Sequence, residues 1–86
     1  ADDFTSSYFI HTEAADQPNV LAAAAKILGE EGVSIAAVMQ RGQAKEGRVP
    51  LVFITHQTTE KALMRAVDHI AATEYFTIRN LIRVEK

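Results

Sequence analysis

Asp16-Gln17-Pro18-Asn19-Val20-Leu21 is the stretch that decides how this chain folds, because it marks the passage from a strand to a helix. The aromatic and β-branched run from 7 to 12 precedes it and predicts a strand. An acidic residue, a proline and then aliphatic residues are typical of a helix start. Free backbone N–H groups and the positive end of the helix dipole meet there, so the carboxylate of a small molecule can bind.

The segment from 18 to 31 has the periodicity of a helix with one apolar face. The residues of that face are Val20, Ala24, Ile27 and Leu28. Pro18 suits the first helical position, where its missing N–H removes no hydrogen bond, and Gly32 suits the C-terminal cap. We therefore predict a helix that begins at Pro18 and ends just before Gly32.

Three further apolar segments predict strands over residues 33–40, 49–55 and 75–84. The first of them alternates, and its apolar face contains Val33, Ile35, Ala37 and Met39. The second is almost continuously apolar, which is typical of a central strand that is covered on both faces. The alternation of the third slips near Asn80, which indicates a β-bulge.

A second helix is predicted between the last two strands, with Thr58 as a candidate N-cap and Glu60 in its first turn. Its apolar positions Leu63, Ala66, Val67 and Ile70 repeat at helical spacing. We expect the two helices to cover one face of the sheet, where the core also includes Ile35, Leu51 and Phe53.

The predicted order βαββαβ consists of two similar βαβ halves. Right-handed crossovers in both halves give an α+β, ferredoxin-like sandwich: a four-stranded antiparallel sheet with two helices on one face. A chain of 86 residues is expected to form a single domain over 1–86, with an ordered core at about 7–85. One face of the sheet and one edge strand remain uncovered in this arrangement.

Composition excludes several classes of function. The net charge is −2 and the basic residues are scattered, so a nucleic-acid partner is not expected. No apolar run approaches the ~18 residues that a membrane span needs, so no membrane partner is expected either. The chain has no Cys, which removes disulfides and thiolate metal sites and is compatible with the cytoplasm, where we expect the protein to be.

We find no catalytic residues and no metal site in the sequence. His11, His56 and His69 do not have the spacing of metal ligands, and ordinary surface or strand-end histidines are the favoured interpretation. No Gly-rich dinucleotide fingerprint is present, so the chain alone is expected to bind no cofactor and to catalyse nothing.

Asp16 and Ser34 are the polar residues with two interpretations. Asp is common just before helices, so Asp16 either caps the first helix or contacts a ligand. Ser34 lies at the start of an edge strand, where it is either a plain solvent-facing residue or a donor to a ligand held near Asp16.

At these residues the chain resembles an ACT domain, the small-molecule regulatory module of amino-acid metabolism. The resemblance covers residues 8–85 and rests on 16–21, on Ile27-Leu28-Gly29-Glu30-Glu31-Gly32-Val33-Ser34-Ile35 and on the βαββαβ order. The segments 34–40 and Val49-Pro50-Leu51-Val52-Phe53-Ile54-Thr55-His56 are similar to the C-terminal ACT domain of bacterial homoserine dehydrogenases.

This resemblance implies a parent enzyme that reduces aspartate semialdehyde to homoserine with NAD(P), bound in a catalytic part that this chain lacks. It implies that the chain senses an amino acid, threonine above all, and that it forms a homodimer or a higher assembly. The ligand would lie between the first loop of one copy and the second strand of another. The ligand-binding residues so implied are Asp16, Pro18, Asn19, Val20 and Leu21, together with Ser34 and Ile35.

Asn19 is a departure from the family, which usually has Gly at this position. Gly permits the closest approach of a ligand to the backbone, whereas the Asn side chain either blocks the pocket or contacts the ligand itself. The alternative function is therefore a structural dimerisation module that has lost its ligand.

Overall fold

The computed structural model describes residues 4–84 of the chain. Two helices and five strands lie in this range. Their order is β1 (Thr5–Ala15), α1 (Val20–Glu30), β2 (Ile35–Gln40), β3 (Arg48–Thr55), β4 (Thr58–Thr59), α2 (Glu60–Ala72) and β5 (Phe76–Val84). The predicted core ran to residue 85, which lies outside the described residues.

Four of the strands form an antiparallel sheet in the order β2-β3-β1-β5, so the predicted ferredoxin-like fold is confirmed. β1 and β3 are central, and β2 and β5 are the edges. The additional strand β4 pairs its two residues with Thr5 and Ser6 at the start of β1. The sequence did not predict β4, because two residues are too few to show a periodicity.

The core lies between the helices and one face of the sheet. Every predicted core position of α2 is buried: Leu63, Ala66, Val67 and Ile70. α1 buries Val20, Ala24 and Leu28, while Ile27 is half-buried. On the sheet, Phe53 is fully buried and meets Phe76 edge to face at 6.1 Å between ring centroids. Ile35 and Leu51 pack against this core but keep some exposure.

The end of α1 follows from Gly32, which has φ 79°. Its N–H donates to the carbonyl of Gly29 at 3.0 Å, and the N–H of Val33 donates to the carbonyl of Leu28 at 2.8 Å. This pair of bonds is the Schellman motif, which satisfies helix carbonyls that otherwise lack donors. Val33 and Leu28 are both buried, so the motif also directs the chain back into the core. The predicted role of Gly32 is confirmed.

The predicted apolar face of the second strand is wrong beyond Ile35. A register shift occurs between Ile35 and Ala37, where two residues of β2 face one of β3. Such a bulge reverses the alternation of side chains. Val38 therefore packs against the core, and Met39 lies on the opposite face with 38% exposure.

The bulge predicted near Asn80 in the last strand is confirmed. Asn80 pairs with His11 and Ile78 pairs with Thr12, which leaves Arg79 as the extra residue of β5. The side-chain oxygen of Asn80 accepts the N–H of Leu81 at 2.9 Å. This bond serves a backbone donor beside the irregularity.

The N-cap of α2 is Thr59 and not Thr58, so that prediction is wrong by one residue. The Thr59 hydroxyl accepts the N–H of Ala62 at 3.1 Å, whereas Thr58 is buried in β4. Both residues are threonines, and only the β4 pairing decides which of them stands at the helix start. Glu60 does lie in the first turn, as predicted.

Candidate ligand-binding site

The loop between β1 and α1 is held to two other parts of the sheet. The N–H of Ala15 donates to the carbonyl of Tyr75 at 2.8 Å, and the N–H of Asp16 donates to that of Gly47 at 2.9 Å. The N–H of Gln17 then donates to the carbonyl of Ala15 at 3.0 Å. The start of the loop is therefore fixed by backbone bonds before any ligand arrives.

Asn19 has φ 71° and ψ 0°, the left-handed conformation that few residues other than Gly and Asn adopt readily. These angles match the third position of a type II turn, in which Pro favours the second position. Pro18 therefore belongs to a turn, and α1 begins at Val20 rather than at Pro18 as predicted. Asn at this position keeps the backbone geometry that Gly would provide.

The start of α1 carries no cap of its own. The Asn19 side chain makes no capping hydrogen bond, and the first turn holds no acidic residue. The first N–H groups of a helix have no acceptor within the helix. The N–H groups of Val20 and Leu21 thus remain available to an anion, and the helix dipole adds to their attraction for negative charge.

Asp16 does not cap this helix. It is exposed, it lies three residues before the N-cap Asn19, and its side chain forms no hydrogen bond or ion pair with residues 4–84. The capping interpretation is therefore wrong, and the carboxylate is free to meet a cation such as an ammonium group.

The remaining predicted residues of this loop differ in what they offer. Val20 is buried in the core, so only its backbone N–H faces the loop. Leu21 is 47% exposed and presents an apolar side chain at the helix start. Pro18 is exposed in the turn. The loop thus combines a carboxylate, free N–H groups and an apolar side chain, the groups that an α-amino acid needs.

Ser34 and Ile35 form no hydrogen bond with this loop within one copy. Ser34 is exposed just before β2, and its carbonyl accepts the N–H of His56 at 2.9 Å. Ile35 is half-buried against the core. No hydrogen bond within the described range joins residues 16–21 to either of them. The two parts of the predicted site are therefore not joined by hydrogen bonds within one copy.

The two sheet edges differ in charge. β2, Ile35–Gln40, has no charged residue, whereas β5 carries Arg79 and Arg83 and is interrupted by its bulge. Charged side chains and bulges protect an edge against pairing with another strand. β2 is therefore the edge that is open to a partner strand.

The exposed surface of α1 is also weakly charged. Its exposed residues include Leu21, Ala22, Ala25 and Gly29, and its only charged residues are Lys26 and Glu30. α1 leads from β1 to the edge strand β2, while α2 packs beside β5. A surface of small and apolar side chains beside an uncharged edge strand is suited to close packing with another protein surface.

The sequence missed the turn that anchors the loop. The N–H of Lys45 donates to the carbonyl of Arg48 at 2.7 Å, and the reverse bond is 3.0 Å. Glu46 and Gly47 between them have φ 54° and 76°, so this is a type I′ turn. From the sequence, the two glycines and several charges of residues 41–48 predict only a solvated connection. A Gly after an acidic residue at the start of a strand was the available signal.

Residues 4–84 contain neither a cluster of metal ligands nor a helix that could cross a membrane. Within residues 4–84, no three or more His, Asp or Glu side chains are grouped so that they could hold a metal ion. His69 instead lies 3.8 Å from Glu31, which also binds Arg65 at 2.9 Å. Neither helix in this range combines the length and the apolar composition that crossing a membrane requires.

Comparison with known proteins finds relatives of this chain. Homoserine dehydrogenase of Neisseria gonorrhoeae is 37% identical over 73 residues, which are 85% of this chain and 17% of that protein. The Pseudomonas aeruginosa enzyme is 36% identical over 70 residues, which are 80% of this chain and 16% of that protein. The crystal structure of a homoserine dehydrogenase from Thiobacillus denitrificans has a TM-score of 0.78 and 26% identity, and the match covers 96% of this chain and 18% of that one. The ACT domain of a Chlorobium tepidum GTP pyrophosphokinase has a TM-score of 0.67 and 11% identity, and the match covers 93% of this chain and 99% of that one.

The chain has the fold of an ACT domain and is similar to a small part of homoserine dehydrogenase. No protein-family model matches it. The chain spans less than a fifth of the length of the curated relatives it matches. The likeness to the pyrophosphokinase domain carries the fold alone.

Proposed function

We propose that this ACT domain senses an amino acid, threonine first, for a cytoplasmic homoserine dehydrogenase. The observation that carries the proposal is the start of α1: uncapped, without an acidic residue, and preceded by a left-handed Asn19. In this proposal the ligand carboxylate accepts from the N–H groups of Val20 and Leu21. The free carboxylate of Asp16 binds the ligand ammonium group.

The site is completed by a second copy. The uncharged edge β2 and the weakly charged surface of α1 support a side-by-side homodimer, in which Ser34 and Ile35 of one copy approach the loop of the other. Such a seam would connect the two parts of the site that one copy leaves separate. The hydroxyl of Ser34 would add a hydrogen bond to the ligand.

Ligand at the seam acts by stabilising one arrangement of the two copies. A ligand shifts a conformational equilibrium only by its difference in affinity between the states, and contacts from both copies exist only in the paired arrangement. The attached catalytic parts, which reduce aspartate semialdehyde with NAD(P) in this proposal, would follow that arrangement. The chain itself contributes binding and no catalysis.

Calorimetric titration of the chain with L-threonine tests the ligand site. Asp16→Ala should weaken binding by ~1.5–3 kcal/mol, the range for a hydrogen bond to a charged group, or about 10- to 150-fold. Asp68→Ala is the matched control, because it removes an exposed carboxylate from α2. Equal effects of the two substitutions would contradict the assignment of Asp16.

Asn19→Gly separates sensing from a purely structural module. A gain in threonine affinity would mean that the Asn side chain blocks the pocket, and a loss would mean that it contacts the ligand. If neither the parent chain nor this variant binds any of the twenty amino acids, the sensing proposal fails and the dimerisation module remains.

Sedimentation across a concentration series tests the seam. Ala25→Lys places a long charged side chain on the exposed surface of α1 and should raise the dimer dissociation constant at least tenfold. Ala71→Lys makes the same change at an exposed position of α2 and should leave it within about twofold. A parent chain that stays monomeric at high micromolar concentration would refute the dimer.

A further inference from the structure

Arg48 is a half-buried cation without a carboxylate partner. Its Nη2 donates to two neutral acceptors, the hydroxyl of Thr77 at 2.8 Å and the carbonyl of Glu13 at 3.3 Å. The carboxylate of Glu13 is engaged elsewhere, since it pairs with Arg79 at 3.1 Å. No ion pair of Arg48 occurs among residues 4–84. The positive charge of the guanidinium is therefore held in place but not neutralised.

Arg48 lines a depression of about 410 Å³ at the end of the sheet. The other lining residues are Ala15, Gln17, Gly47, Glu74 and Tyr75. This volume is ample for a free amino acid. Glu74 is exposed and has no partner within the described range, so the depression offers one unpaired charge of each sign.

The walls of this depression are fixed by backbone bonds. The hydrogen bond from the Ala15 N–H to the Tyr75 carbonyl joins the end of β1 to the residue before β5. The hydrogen bond from the Asp16 N–H to the Gly47 carbonyl joins the loop to the type I′ turn. Thr77 and the Glu13 carbonyl hold the guanidinium itself. The backbone of the depression and the guanidinium of Arg48 would therefore lose little conformational freedom on binding, which favours affinity in a small site.

From these observations we propose a second binding site for a zwitterionic α-amino acid, contained within one copy. Arg48 would bind the ligand carboxylate through its Nε and Nη1 donors, because Nη2 is the nitrogen that Thr77 and the Glu13 carbonyl already engage. Glu74 would bind the ammonium group, and Tyr75 would cover the aliphatic part. The depression shares Ala15 and Gln17 with the loop described above, but Asn19, Val20, Leu21 and Ser34 are not among its lining residues. Its occupant is thus distinct from a ligand at the seam.

Backbone amide NMR of the chain titrated with L-threonine tests this site. Binding here should shift the amides of Gly47 and Tyr75 and the side-chain Nε–H of Arg48. N-acetylthreonine and threoninamide, which lack the ammonium and the carboxylate respectively, should each bind there at least tenfold more weakly. Shifts confined to residues 19–21 and 34 would overturn this site and support the ligand site at the seam. Shifts confined to residues 47, 48 and 75 would support this site and overturn the one at the seam. No shift in either region with any of the twenty amino acids would overturn both.

Variants identify the charges that bind. Arg48→Met keeps an unbranched, flexible stem but removes the guanidinium, and it should lower affinity at this site at least tenfold. Arg41→Met is the matched control, because it makes the same change at an exposed arginine outside the depression and should leave the affinity within twofold. Glu74→Gln changes an exposed side chain without structural contacts, so it should lower affinity about tenfold with the fold intact. Unchanged affinity in Glu74→Gln, or in a folded Arg48→Met, would overturn the proposal.

Discussion

Asn19 gives the sharpest test of how this sequence builds its site. Its φ of 71° lies in the left-handed region, where a residue with a Cβ is disfavoured by roughly 1–2 kcal/mol and Asn by less. The side chain makes no capping bond, so removing it takes away no hydrogen bond. We therefore expect Asn19→Ala to destabilise the domain by about 1 kcal/mol, and Asn19→Gly to change its stability by less than ~0.5 kcal/mol.

Thermal unfolding measures this difference directly. For a domain of 60–100 residues, 1 kcal/mol corresponds to a shift of about 4–8 °C in the midpoint, so the Ala variant should melt at a clearly lower temperature than the Gly variant. Urea unfolding with a lower midpoint and an unchanged m-value would show that stability has changed while the surface exposed on unfolding has not. An Ala variant as stable as the parent would refute the left-handed assignment and, with it, the type II turn that presents the helix N–H groups.

Substitutions at four other positions test the remaining structure by urea unfolding. Leu28→Ala should cost ~3–4 kcal/mol because Leu28 is 0% exposed, whereas Ile27→Ala beside it should cost ~1–2 kcal/mol because Ile27 is half-buried; equal costs would contradict the orientation of α1. Gly32→Ala should cost about 1 kcal/mol from backbone strain alone at φ 79°, since an added Cβ meets nothing within 4 Å, and a neutral result would contradict the Schellman motif. Thr59→Ala should cost ~1 kcal/mol through loss of its cap, with Thr59→Ser largely retaining stability; a larger loss in the Ser variant than in the Ala variant would exclude the capping role.

Local pattern was enough to place the helices and strands. The apolar faces of α1 and α2 follow from a spacing that the helix period imposes, and the Schellman glycine follows from the need for positive φ at a helix end. The bulge of β5 was visible because it breaks the alternation within one strand. These features depend on neighbours in sequence, so the sequence shows them directly.

Two of the errors lie where a partner distant in sequence decides. The bulge after Ile35 depends on the pairing of β2 with β3, and the choice of Thr59 over Thr58 depends on pairing between β4 and Thr5–Ser6. A uniformly apolar β2 hides its own register, since Ala36 and Ala37 suit either face.

The candidate site shows the same division. The sequence by itself determined that a helix starts within 16–21 and that Asp16 precedes it, because these features are local, although it set the first helical residue two positions too early. Only the tertiary structure decided that Asn19 is left-handed, that Gly47 and Tyr75 anchor the loop, and that Arg48 and Glu74 line one depression. Those residues are separated by tens of positions along the chain, and only strand register brings them to one end of the sheet.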